Sequence, residues 1–111
     1  VTTFDIERTE GIGVIRPRGR LNMVSAPQFA KTVQDLVAEG CVRLVVDLSA
    51  TGFVDSSGLG ALVASLKVAR RAGGDLRLAG TTPQIDTVLQ LTNLDKVLQP
   101  SPTVDAALAL W

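Results

Sequence analysis

The chain has no histidine and a single cysteine, Cys41. One thiol cannot form an internal disulfide, which suits a reducing cytoplasm, and Cys41 reads as a small apolar group at a strand start. A structural zinc site needs several Cys or His ligands, so it is excluded and no cofactor is expected. Hydrolases of the Ser-His-Asp or Cys-His type need a histidine base, so that chemistry is excluded too. A long apolar run is also lacking. The uncharged stretch from Ser56 to Leu66 is too short to span a bilayer, and no signal peptide is visible. Excess charge of either sign is absent, with 11 basic and 11 acidic residues. Such a balance provides no overall field to draw nucleic acid or an anionic membrane, and neither is expected as a direct partner. Arg16, Arg18 and Arg20 alternate on one strand face without interleaved aromatics, and read as a solvated face rather than a binding patch.

Apolar residues make up 46% of the 111-residue chain, enough for a continuous core in one domain over residues 1–111. Phe4, Ile6 and Arg8 begin a period-2 strand. Gly11-Ile12-Gly13 turns the chain, and Val14-Ile15 open a second strand running toward Gly19 or Leu21. Ser25-Ala26-Pro27-Gln28 reads as a capping box opening a helix, whose core stripe is Phe29, Val33, Leu36 and Val37 and whose stop is Gly40. Val42–Leu48 is a branched-rich, buried strand. A helix is predicted from about Ser57 to Ala72, with Leu59, Leu62, Val63 and Leu66 inward. Asp75–Ala79 is a further strand. Thr81-Thr82-Pro83-Gln84 repeats the earlier opening before a third helix through Ile85, Val88 and Leu89. Val97-Leu98 is expected as a short edge strand, and Ser101-Pro102 starts a last helix. The fold class is α/β, with a mixed, mostly parallel sheet of four to five strands and about four helices. The order is β-β-α-β-α-β-α-(β)-α.

The informative segment runs from Asp47-Leu48-Ser49 through Phe53-Val54-Asp55-Ser56-Ser57-Gly58-Leu59-Gly60. A buried strand feeds a loop, and the loop enters a helix. Parallel sheets place functional residues beyond their carboxyl ends, and helix starts present free N–H groups that favour an anion. Asp55, Ser56 and Ser57 are also ordinary cap residues, and alone the tetrapeptide Asp55-Ser56-Ser57-Gly58 says little more than that. The combination with Asp47-Leu48-Ser49, Leu59-Gly60 and the earlier Gly19-Arg20-Leu21 resembles the signature of STAS domains, specifically the anti-sigma factor antagonists. The resemblance covers nearly the whole chain.

That resemblance implies a STAS-type fold and a partner-switching cycle. The unphosphorylated antagonist binds an anti-sigma factor that is also a serine kinase. The kinase phosphorylates the second serine of the run, Ser57 here, and a PP2C-type phosphatase reverses it. The implied docking surface comprises Asn22, Asp55, Ser56, Ser57 and Gly58. To these the sequence adds Ala61, Ala64, Ser65, Val68 and Ala72, a small uncharged helix face opposite the predicted core stripe, which packing within the domain would explain equally well. Asn22 is a departure, because the resemblance implies an acidic residue there. It bears on kinase recognition more than on the fold, and as a turn residue before the first helix it is equally well explained. A STAS domain that binds without being phosphorylated, in a sensory complex or transport system, is the alternative. An enzyme is not expected: Ser57 lacks a G-x-S-x-G setting, and no Walker-type phosphate loop is present.

Overall fold

Alternating side chains in the first eighteen residues leave little choice but a hairpin. In a computed structural model describing Val1–Trp111, β1 (Thr3–Thr9) and β2 (Ile12–Arg18) pair antiparallel with Ile6 opposite Ile15. Gly11, at φ +72°, makes the turn that a side chain would strain. The chain then continues through α1 (Ala26–Ala38), β3 (Arg43–Asp47), α2 (Ser56–Arg71), β4 (Asp75–Ala79), α3 (Pro83–Leu91), α4 (Asp95–Leu98) and α5 (Val104–Leu108). The sheet order is β1-β2-β3-β4, with β3 parallel to both β2 and β4. The four-stranded mixed sheet and the element order match the sequence reading.

Period-2 alternation assigns the two sheet faces. Ile15, Leu44, Val46, Leu76 and Leu78 point into the main core, where Phe29, Val33 and Leu36 of α1 and Leu62 and Leu66 of α2 meet them. Each such fully buried aliphatic or aromatic side chain stabilises the fold by roughly 1.5–3 kcal/mol relative to exposure. The opposite face is covered only in part, by α5. Val14, Val45, Ala79 and Ala107 form a small second cluster there, flanked by Val104, Leu108 and Trp111.

The rest of that face is ionic. Arg16 pairs with Glu7 and, at 3.2 Å, with Asp47, while Arg18 pairs with Asp5. Burial works to lower the Arg16 pKa, but its hydrogen bonds to Glu7 and Asp47 and their charges outweigh it and raise the pKa. The arginine row is thus neutralised strand by strand rather than simply solvated. Arg20 lies beyond the strand end, with its guanidinium 5.9 Å from the Phe53 ring centroid.

Val97 and Leu98 are not an edge strand: they close the one-turn helix α4. Leu94 and Leu98 are four residues apart, the Leu98 N–H donates to the Leu94 carbonyl at 2.8 Å, and Leu98 is fully buried. The place beside β4 is taken instead by a single parallel bridge, Ala79 to Ser101. Pro100 and Pro102 flank Ser101. Neither has an N–H to donate, so the ladder stops at one residue.

Under α5, the Arg77 guanidinium lies 4.6 Å from the Trp111 ring centroid and 3.8 Å from Asp75, and its Nε and Nη1 are buried without partners. Trp111→Ala should therefore cost about 1–3 kcal/mol, from the lost cation–π contact and packing. Arg77→Met, which fills similar space without unpaired donors, should be at least as stable as wild type. Urea unfolding followed by circular dichroism checks both.

Candidate functional site

Beyond the carboxyl ends of β2 and β3 the two loops are laced together by backbone. The Gly19 N–H donates to the Ala50 carbonyl at 3.1 Å, and the Leu21 N–H to the Phe53 carbonyl at 3.0 Å. The Asp55 N–H returns a bond of 3.3 Å to the Leu21 carbonyl, so Leu21 and Val54 form a parallel bridge that extends the β2–β3 pairing past both strands. Thr51 is fully buried, and its hydroxyl donates to the Pro17 carbonyl at 2.8 Å. Asp47 accepts from the Ser49 N–H at 3.0 Å through one oxygen and holds Arg16 through the other. The Asp47-Leu48-Ser49 run is therefore a turn device.

From this base Asp55 starts α2. Its φ of −96° and ψ of −175° are those of an N-cap, and Oδ1 accepts from the Gly58 N–H at 2.8 Å. Its Oδ2 accepts from the Met23 N–H at 3.3 Å. Both oxygens serve backbone donors, so this carboxylate is a cap and a cross-loop tie rather than a base for Ser57. Ser56 and Ser57 follow as the first two helical residues, both exposed. Gly58 is buried against Leu21, where an added Cβ would overlap the Leu21 carbonyl. The glycine of Asp55-Ser56-Ser57-Gly58 is thus required by space.

The β2–α1 loop comes to Asp55 as expected, but its capping differs from the sequence reading. Ser25 makes no cap bond to α1. It is 6% exposed, and its hydroxyl donates to the Arg20 carbonyl at 2.7 Å and accepts from the Asn22 N–H at 3.0 Å. Asn22 instead closes the turn that leads into α1, its Oδ1 accepting from Val24 and Ser25 N–H at 3.0 and 3.2 Å. An aspartate supplies the same acceptor oxygen, so the departure at Asn22 alters surface charge and leaves the turn intact. Met23 and Val24 are thrown outward, 72% and 84% exposed, and Phe53 is 40% exposed. The exposed serines therefore share one end of the molecule with three large apolar side chains.

The predicted outer face of α2 needs correction. Ser65 is 2% exposed and belongs to the buried stripe with Gly58, Leu62, Leu66 and Ala69. Ala61 and Val68 are half-buried and pack against the core, as does Leu59. Only Ala64 and Ala72 of the proposed face are exposed, along with Gly60 and Lys67. The small side chains serve close packing within the fold, where α2 lies against α1 and β4.

One residue escaped the sequence reading except as part of a helix opening. Gln84, in the first turn of α3, accepts from the Val54 N–H at 3.3 Å and donates to the Val54 carbonyl at 3.4 Å. The Pro83-Gln84 pair signals a first turn, but nothing local in the sequence says that its amide reaches the loop 30 residues upstream.

The fold has counterparts among known proteins. Residues 3–107 match the STAS domain family. The crystal structure of an anti-sigma factor antagonist from Mycobacterium paratuberculosis is similar at a TM-score of 0.87 and 32% identity, covering 99% of this chain and 93% of that one. The anti-sigma-B factor antagonist of Bacillus subtilis is 25% identical over 97 residues, 87% of this chain and 88% of its own. The Bacillus cell fate determinant SpoIIAA in its phosphorylated form shares the fold, at a TM-score of 0.76 and 22% identity over 96% of this chain and 97% of that one. No helix is long and apolar enough to cross a membrane.

Two neighbouring glycines test the packing at the helix start. Gly58→Ala should destabilise by about 1–3 kcal/mol through overlap with Leu21. Gly60→Ala meets nothing within 4 Å and should stabilise by up to about 1 kcal/mol through helix propensity. Opposite signs in urea midpoints are the expected result.

Proposed function

The chain belongs to the STAS domain family, and we propose that within it this protein is an anti-sigma factor antagonist controlled at Ser57. In this reading the unphosphorylated form binds an anti-sigma factor with serine kinase activity and so frees a sigma factor for transcription. Phosphorylation of Ser57 ends the binding, and a PP2C-type phosphatase restores it. The protein acts in the cytoplasm by binding rather than by catalysis. The observation that carries the reading is the setting of Ser57: an exposed hydroxyl on the first turn of a firmly capped helix, beside exposed Met23, Val24 and Phe53. Likeness along most of its length to named antagonists supports the choice of partner class.

The docking surface follows from the same setting. Asn22, Ser56 and Ser57 form its centre beside the half-buried Asp55, with Met23, Val24 and Phe53 as apolar anchors and Ala64 on the flank, whereas Gly58, expected there from the sequence, is buried against Leu21 and only shapes the backbone beneath it. Ala61 and Val68 contribute at most their half-exposed edges, and Ser65 is withdrawn from it.

A phosphate is compatible with the fold and incompatible with the interface. It brings roughly −1.5 to −2 charges. The first N–H groups of α2 and the helix dipole favour an anion at that end, so the domain tolerates it. A partner seated on Met23, Val24 and Phe53 would have to desolvate that charge beside the Asp55 carboxylate. An unpaired buried charge of this kind weakens an interface by several kcal/mol.

Pull-downs from cell extract with wild type, Ser57→Ala and Ser57→Asp test the reading. Wild type and Ser57→Ala should retain an ATP-binding anti-sigma factor, and Ser57→Asp should bind it roughly 100-fold or more weakly. Phosphate-affinity gels should show kinase-dependent modification of wild type and none of Ser57→Ala. Undiminished labelling of Ser57→Ala would sink the site assignment.

A further inference from the structure

Val54 is the last extended residue before the cap of α2, and it is 2% exposed. One edge of its backbone faces Leu21. The other edge is filled by a side chain, since Gln84 takes both the N–H and the carbonyl of Val54. A primary amide carries a donor and an acceptor on one planar group, so Gln84 stands in for a passing strand.

The helix that carries Gln84 is fixed from below and loosely finished at its start. Ile85 and Leu89 are fully buried in the main core. Thr82 occupies the N-cap position yet makes no cap bond, and its hydroxyl is buried without a partner. The polar contact that the first turn of α3 makes across the fold therefore runs outward to Val54.

We infer that Gln84 is a positioning residue for the switch. It fixes the Val54 peptide and, through it, the direction in which Asp55, Ser56 and Ser57 leave the sheet. The inference rests on the reading of Ser57 as the switched residue. Through Val54, the Gln84 amide helps set how readily the kinase engages Ser57. Both bonds are long for amide hydrogen bonds, so this clamp is one that can yield.

The test uses Gln84→Met, which keeps length without donor or acceptor, and Gln84→Glu, which keeps only an acceptor. Thr82→Ala serves as a control in the same turn, because it removes a hydroxyl that has no partner. Amide hydrogen exchange read by NMR compares Val54 with the β3 amides of Leu44, Val45 and Val46. In Gln84→Met the Val54 amide should exchange roughly 5- to 10-fold faster, the worth of a single hydrogen bond. Gln84→Glu should keep more of the protection, and the β3 amides and Thr82→Ala should stay at wild-type values. The initial rate of Ser57 phosphorylation, with the kinase recovered in the pull-down above, should fall several-fold in Gln84→Met. Unchanged Val54 exchange, or a rise shared equally by all four amides, overturns the clamp. Faster Val54 exchange with an unchanged Ser57 rate overturns its role in the switch. A wild-type chain that no kinase modifies removes the Ser57 reading and the switch role together, whereas the exchange pattern still decides whether Gln84 sets the loop.

Discussion

Just beyond the strand ends Leu21 bridges to Val54 through two backbone hydrogen bonds, its N–H donating to the Phe53 carbonyl and its carbonyl accepting from the Asp55 N–H. Much else at that end depends on this junction. It brings the Leu21 carbonyl so close to α2 that only glycine fits at position 58. It also brings the Met23 N–H within reach of Asp55, so a single carboxylate caps the helix and ties down the neighbouring loop. The serines after Asp55 consequently rest on a base held from several directions, by Leu21, by Met23 and by Gln84. Under the proposed reading, a phosphate on Ser57 would change what the surface presents and not how the backbone runs.

The two sheet faces solve different problems. The helical face buries nearly all the large aliphatic residues. The other face spreads a thin apolar strip under α5 and otherwise pairs its charges across strands, Asp5 with Arg18 and Arg16 with both Glu7 and Asp47. Exposed pairs of this type contribute little stability individually. Their larger effect is on the electrostatic field, because the arginines that alternate along β2 are cancelled where they stand.

Strong periodicity made most of the fold legible in the sequence. The hairpin, the buried β3 and the helices α1 and α2 follow from it, and Asp55-Ser56-Ser57-Gly58 was readable as a helix start at the carboxyl end of the sheet. What was not legible depends on distance in space. The inner stripe of α2 lies toward Ser65 and Ala69 because small residues permit close approach to α1 and β4. A pattern that counts only large apolar residues finds Leu62 and Leu66 but assigns Ser65 to the outer face. Ser25 looked like a cap because of its type and place, yet its hydroxyl is taken by the Arg20 carbonyl, and Asn22 closes the turn before it. The strand expected at Val97-Leu98 gives way to a helical turn, since Leu94 and Leu98 lie four apart, and the prolines on either side of Ser101 keep the bridge beside β4 to one residue. Gln84 had no such local signal, since its partner lies a loop, a helix and a strand away.

β1 is an outer strand with nothing paired to its far side. An unpaired edge is a template for joining sheets from separate molecules. On this edge Thr3, Asp5, Glu7, Arg8 and Thr9 are exposed, and the apolar Phe4 and Ile6 turn inward to the core. A second copy laid antiparallel with Ile6 against Ile6 would set Asp5 of one molecule against Glu7 of the other, which like charge disfavours. The same cross-strand charges that quiet the arginines thus guard against edge-to-edge aggregation. An edge charged in this way does not hold on to every strand it meets.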